Sequence, residues 1–405
     1  MIRLLRLKSR AHSPNLACEI VHCDMESDYK YFALSYAWGS GGQKEHILVD
    51  GYRCAISKHL SEALQHLQMN DEDQLYWIDQ ICINQANDEE KSDQVSRMRT
   101  IFERAWHVVA WLGRSEEDSD LLIAFFKLLA EEEGRAEDTL RSITGRLDWM
   151  SSYVGDCRIA RITTAFNGFC NRNYWKRVWV IQEFALAKTT LICCGRFTIE
   201  FGVLQSAWNI IRRAQGRQKV EENSIGQVVQ RGFNAPAMNF VSGILTRRTR
   251  YQEETPREPL FQVMCSSLTL ETDYNQVQAS DTRDRVFALM ATCSDGAEFD
   301  TFRDYSTSPA KVYTILARRF LEQGHTDNLA HCQFPHNLDT DALPSWVPDW
   351  SMSIHSPIMG FKTHYRASAT LTQSPAPSFP EPSTVALQGI LVDTICETKN
   401  AWDLD

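Results

Sequence analysis

The chain has 405 residues, 43% of them hydrophobic, which is enough to bury a substantial core and to form two or three domains. Its 42 basic residues against 52 acidic ones give a formal net charge of -10, which excludes a general nucleic-acid binder whose affinity comes from neutralising phosphates. The opening Met1-Ile-Arg-Leu-Leu-Arg-Leu-Lys8 sets charges inside what would be the apolar run of a signal peptide. No later uncharged apolar run approaches the roughly 18 residues of a membrane span, so the expected location is cytoplasmic, with no membrane span.

The 12 cysteines are scattered without a C-x-x-C pair, and the adjacent Cys193 and Cys194 are badly placed to bridge each other. Reduced, mostly buried thiols are expected. His331, Cys332 and His336 lack a fourth ligand nearby, so no metal site and no bound cofactor are expected.

Residues 31–37 read as a buried strand ending at Trp38-Gly39, followed by a polar, Gly-rich loop. Residues 47–49 and 52–56 flank Asp50-Gly51, a two-residue hairpin signal. Ser57 is an N-cap for a helix that carries Leu60, Ala63, Leu64 and Leu67 on one side. Residues 75–78 are the next strand, with Asp79 directly after it. A turn through Asn84-Gln85 leads to Asp88, Glu89 and Glu90, which suit the positive end of a helix that buries Val95, Met98, Phe102 and Ala105. Strand 107–112 follows and is stopped by Gly113. After helical and polar segments, one helix over 174–187 delivers the strand 190–194. This alternation predicts an α/β fold with three layers, a mainly parallel sheet flanked by helices.

The remainder reads differently. Residues 203–342 are expected to be a mostly helical extension, with Arg247, Arg248 and Arg250 on a solvated face and a capped helix start at Asp281. Residues 343–405 form a third region. In it Pro344-Ser-Trp-Val-Pro-Asp-Trp350 is an extended aromatic packing segment, 372–384 a Ser/Pro linker, and 385–392 a strand that makes a small β element. The first domain is taken as 1–202, with its α/β core at about 30–195.

No phosphate-binding loop, dinucleotide fingerprint, nucleophile elbow or H-E-x-x-H is present. What stands out is Arg177-Val-Trp-Val-Ile-Gln-Glu183. Four apart in a helix, Trp179 and Glu183 share a face, so a flat aromatic surface lies beside a carboxylate, a pair able to hold a sugar or nucleotide. The bland alternative makes Glu183 a structural carboxylate paired with Arg177 or Lys176. Asp79, at the C-terminal end of a parallel strand, stands where open α/β sheets bind ligands, although a turn or cap role serves equally. Trp38, Trp77, Trp111, Trp179, Trp346 and Trp350 each read first as core anchors. Nothing brings Cys82 to His107, so Cys82 reads as an inert buried thiol.

An ordered set of segments carries a family resemblance. It comprises Tyr31-x-Ala33-Leu-Ser-Tyr-x-Trp38-Gly39, Trp77-Ile-Asp79-x-x-Cys82-Ile-Asn-Gln85, Gln94-x-x-x-Met98, Ala105 and Trp111-Leu-Gly113. Downstream come Trp175-x-Arg177-Val-Trp-Val-x-Gln182-Glu183, Arg283-Asp-Arg-Val286, Asp304-Tyr-Ser306 and Leu343-Pro-Ser-Trp-Val-Pro-Asp-Trp350. Together they resemble the heterokaryon incompatibility (HET) domain proteins of filamentous fungi, with Glu90-Lys91 where the family has Glu-Arg, which keeps charge but loses a bidentate fork.

The resemblance implies non-self recognition and programmed cell death, and a remote TIR-like relationship. TIR domains that cleave NAD carry a Trp-Cys-x-x-Glu helix, which Trp179-Val-Ile-Gln-Glu183 matches except for Val180. Carried over, Glu183 is catalytic, while Ser35, Tyr36, Trp38, Gly39, Asp79 and Trp179 bind substrate. NAD is then a substrate rather than a cofactor. Expelling neutral nicotinamide from a cationic ring requires chiefly that a ribosyl oxocarbenium be stabilised, a task for one carboxylate. The alternatives are a non-enzymatic module that clusters a signalling partner and a scaffold that senses a nucleotide without turning it over. Self-association, completing the Glu183 site, is implied for the NAD-cleaving reading.

Overall fold

In the computed structural model, which describes residues 1–13, 15–39, 43–116, 118–132, 156–215, 233, 237–253, 256–270, 277–334, 336, 338, 343–352, 354–355 and 376–387, the strand and helix alternation builds one nine-stranded sheet. Its strands are β1 (Ile2–Leu7), β2 (Ala17–Cys23), β3 (Phe32–Tyr36), β4 (Lys44–Val49), β5 (Tyr52–Ser57), β6 (Gln74–Trp77), β7 (His107–Trp111), β8 (Thr190–Cys194) and β9 (Phe197–Glu200). They lie in the order β5-β4-β2-β1-β6-β3-β7-β8-β9.

The fold is α/β, and the sheet is mixed rather than mainly parallel. A parallel run β6-β3-β7-β8 holds the centre. The pairs β1–β2, β1–β6, β4–β5 and β8–β9 are antiparallel. The correction comes largely from β1 and β2, which charge patterning hides. Arg3 and Arg6 interrupt the apolar run of β1, but they leave by its flanks. Arg3 Nε donates to the Cys82 carbonyl at 2.9 Å and Arg6 pairs with Glu19 at 3.2 Å, while Ile2, Leu4, Leu5 and Leu7 are buried.

Local signals fix the surrounding elements. Asp50 and Gly51 take φ of 50° and 81°, the left-handed pair that a two-residue hairpin of native twist needs. Ser57 accepts from the Leu60 amide at 3.2 Å and caps α1 (Lys58–Leu67), which buries Leu60, Ala63 and Leu64. The turn expected after Asp79 begins with one helical turn, α2 (Asp79–Cys82). Asn87 caps α3 (Asp88–Arg104), whose first turn carries Asp88, Glu89 and Glu90 and whose inner face buries Val95, Met98 and Phe102.

The helix expected over 174–187 is two helices, Asn173–Lys176 and Val178–Leu186. Arg177 between them is extended, at φ -74° and ψ 132°. Gln278 sits against the break, donating to the Lys176 carbonyl at 2.5 Å and accepting from the Val178 amide at 3.0 Å. A strand-like segment from 100 residues downstream thus satisfies backbone groups that a continuous helix would have paired internally.

Arg247 and Arg248 are buried rather than solvated, at 6% and 4% exposure. Arg248 donates to the carbonyls of Phe184, Ala187 and Lys188, the last two at 2.6 and 3.1 Å. A helix end leaves its last carbonyls without intrahelical partners, and one guanidinium supplies several donors there. Arg247 engages Glu258 and Ser266, and Arg250 pairs with Glu258 at 3.1 Å.

Gly195, in the β8–β9 turn, has φ +55°, and a Cβ there would stand 2.4 Å from the Ser115 amide nitrogen. Gly195→Ala is therefore expected to cost about 1–3 kcal/mol in denaturant unfolding. An unchanged midpoint would show that the 113–115 loop yields freely.

The chain divides into two compact units, Met1–Ser308 and Pro309–Asp405. In the second, helix Pro309–Glu322 buries Tyr313 and Phe320, and Trp350 meets them edge-on at 5.4 and 6.2 Å. The Pro-rich segment thus packs its aromatics as expected. Within the expected linker, Ser378–Glu381 is a strand paired with Thr384–Ala386. Of the strand expected over 385–392, residues 388–392 lie outside the described residues. Among the described residues no helix is long and apolar enough to cross a membrane.

Candidate functional site

Strands β3 and β6 are parallel neighbours, with Ala33 opposite Trp77, so the segments leaving their C-terminal ends emerge side by side. Ala37, Trp38 and Gly39 leave β3, and Asp79 opens α2 just after β6. They form one wall of a pocket of about 540 Å³, within the roughly 300–1,000 Å³ range of ligand sites. The helix break contributes Arg177 and Trp179, and α3 contributes Lys91, Val95 and Met98. The far wall is Gln278 to Asp281, Asp284 and Tyr305.

Each wall holds an indole against a carboxylate. Trp38 Nε1 donates to Asp79 Oδ2 at 2.9 Å, and the other oxygen of Asp79 accepts from the Gln80 amide at 2.7 Å. Burial pushes the Asp79 carboxyl up from its ordinary range, against the opposing pull of Arg177. On the far wall Tyr305 donates its hydroxyl to Asp284 Oδ1 at 2.5 Å, and the Trp179 side chain is a second hydrogen-bond partner of that carboxylate. Burial raises Asp284 as well. Asp281 is gripped by Arg283 through two bonds of 2.9 and 2.7 Å and is held below the usual carboxylate range, although burial opposes this.

Glu183 lies behind the pocket and is not among the residues that line it. It is 2% exposed and accepts from the Ser35 hydroxyl, which sits 2.7 Å from the Tyr174 hydroxyl. Burial pushes its carboxyl up to about 7, against Arg177 and the Ser35 bond. Arg177 joins the two layers. It donates to the Tyr36 carbonyl, its Nη2 is 4.0 Å from Asp79 Oδ2, and the negative fields of Glu183 and Asp79 outweigh burial in holding it charged.

Of the residues singled out by sequence, Trp38, Gly39, Asp79 and Trp179 meet in the pocket. Ser35, Tyr36 and Glu183 form the buried layer behind it, so Trp179 and Glu183 serve different surroundings although they share a helix. Trp77, Trp111, Trp346 and Trp350 are buried anchors, whereas Trp38 is 38% exposed. Cys82 is buried, and its thiol is pushed up to about 12, which makes it inert. Lys91, Asp284 and Tyr305 received no site role from the sequence, and Asp281 only that of a helix start. Their only signal was membership of the recurring segments or closeness to one.

Comparison with known proteins bears on the family. Residues 31–183 match the family model described as Heterokaryon incompatibility protein (HET). Over 452 residues the chain is 26% identical to Heterokaryon incompatibility protein 6, OR allele, of Neurospora crassa. That match covers 98% of this chain and 64% of the relative, so the chain spans less than two thirds of the relative's length. No solved structure matches. Residues 31–183 are thus similar to the HET family from the first pocket strand to Glu183, and almost the whole chain is similar to a heterokaryon incompatibility protein of Neurospora crassa.

Proposed function

We propose that the protein is an intracellular effector of heterokaryon incompatibility and of the cell death that follows it, and that it works by binding a nucleotide, NAD or a close relative, in the pocket lined by Trp38 and Trp179. The observation that carries this reading is the pocket itself. It is of ligand size, and two indoles from separate segments line it, each tied to a carboxylate, Asp79 or Asp284. Fixed indoles suit stacking of a flat heteroaromatic ring, and carboxylates beside them suit ribose hydroxyls. The relative's name supports the incompatibility role.

A second, finer reading is NAD cleavage by a TIR-like mechanism, favoured by two carboxylates with raised pKa, Asp79 and Glu183, on either side of one guanidinium. In it the ribosyl to nicotinamide bond breaks, its electron pair leaves with neutral nicotinamide, and water closes the resulting oxocarbenium. Glu183 contributes its negative charge once Arg177 moves aside, and self-association or a signalling partner supplies that movement.

Calorimetry on the full chain with NAD and with ADP-ribose tests the first reading. Both are expected to bind, and Trp38→Ala is expected to weaken binding roughly tenfold, the scale of one aromatic or cation-π contact. Nicotinamide release tests the second: it should occur with the wild type and vanish in Glu183→Ala while the fold persists. Binding without release leaves a nucleotide sensor. If neither ligand binds, the nucleotide reading fails and a module that acts by clustering partners remains.

A further inference from the structure

Among the described residues, the carboxylates and the guanidinium on the pocket wall are engaged with protein partners, and the ammonium of Lys91 is the exception. Arg177 holds the Tyr36 carbonyl and faces Asp79, Asp79 holds Trp38, Asp281 holds Arg283, and Asp284 holds Tyr305. Lys91, in the first turns of α3, is different. Its ammonium sits 3.8 Å from the centre of the Tyr305 ring. Among the described residues it has no carboxylate oxygen within 4.0 Å, and Asp281 and Asp284 act on it only through space.

A ring face attracts a cation but leaves the three ammonium N–H donors without acceptors of normal strength. A half-buried ammonium so placed is completed by acceptor oxygens arriving with a ligand. The nearby carboxylates do not forbid an anion there. Arg283 neutralises Asp281 through two bonds, and Asp284 is occupied by Tyr305 and Trp179. An ammonium is a compact point charge that suits a phosphate oxygen, and the indoles elsewhere in the pocket leave the base a separate place to stack.

We propose that Lys91 is the phosphate subsite of this pocket, and that its support, Tyr305 with Asp284, comes from beyond the matched HET segment, so that residues 31–183 hold only part of the ligand site. This deepens the nucleotide reading and rests on it.

The test is titration of the full chain with ADP-ribose, adenosine and inorganic phosphate at low and high salt, for the wild type, Lys91→Met and Lys91→Arg. Methionine keeps an unbranched apolar side chain while removing the ammonium that sits over Tyr305. Lys91→Met is expected to lose ADP-ribose affinity about tenfold or more and to leave adenosine binding unchanged, while Lys91→Arg keeps most of the affinity. Wild-type affinity for ADP-ribose should fall with salt, and inorganic phosphate should compete with it. Equal ADP-ribose affinity in Lys91→Met, or equal loss of adenosine, overturns the proposal. Salt-independent binding by the wild type overturns it without any variant. Adenosine binding as tightly as ADP-ribose to the wild type defeats the phosphate subsite and spares the nucleotide pocket; no binding of either defeats both.

Discussion

Replacing Arg177 by leucine is expected to destabilise the protein by about 3–5 kcal/mol at pH 8, because it removes the cation shared by two carboxylates withdrawn from water. Glu183 is buried and Asp79 largely so, and Arg177 opposes the burial cost of both. The Tyr36 carbonyl loses its donor as well. Most of this cost should fade on acidification, since burial has already raised both carboxyls and the missing cation raises them further. Urea unfolding of wild type and variant at pH 8 and at pH 5.5 measures it. A penalty of equal size at both values would assign Arg177 a packing role. Adding Glu183→Gln to Arg177→Leu should recover part of the loss at pH 8, as expected of residues coupled by charge.

Glu183→Gln by itself should change how stability depends on pH. The carboxyl moves from its ordinary 4.5 to about 7 on folding, so the folded protein holds this proton more tightly than the unfolded chain does. Its stabilising contribution is then complete below about 4.5 and disappears as pH rises through about 7. Glutamine has no proton to lose. The stability of Glu183→Gln relative to wild type should therefore climb by about 3 kcal/mol between pH 4.5 and pH 8. Groups that do not interact with Glu183, such as the raised Asp284, cancel in the difference, whereas the field of Asp79 is part of what raises Glu183. A difference that stays flat with pH would mean that Glu183 is solvated or fully compensated. The same proton bears on the cleavage reading. The Glu183 carboxylate stabilises an oxocarbenium only in its ionised fraction, and moving Arg177 aside raises its pKa above the resting value of about 7, so nicotinamide release should rise with pH on the alkaline side of neutrality.

Turns, caps and helix faces were legible in the sequence because each rests on a local rule. The Asp50-Gly51 hairpin, the Ser57 cap, the acidic first turn of α3 and the parallel centre β6-β3-β7-β8 all formed where periodicity and turn chemistry place them. The two N-terminal strands were not legible, since arginines that leave by the strand's flanks look like interruptions until their partners are known. The buried Arg248 misled for the same reason: its partners are carbonyls at the end of a helix more than 60 residues earlier.

The candidate site divides along this line. The sequence and its family resemblance named Ser35, Tyr36, Trp38, Gly39, Asp79, Trp179 and Glu183, residues on segments close to strand ends or in one helix. Only the tertiary structure separated them, placing Asp79 and the two indoles at the pocket and Glu183 behind Arg177. That outcome depends on Gln278 meeting the chain at Arg177, which breaks the helix and turns the guanidinium toward Tyr36 and Asp79. A backbone contact across 100 residues leaves no periodic trace in the chain, and the energy that decides it exists only once both segments are folded together.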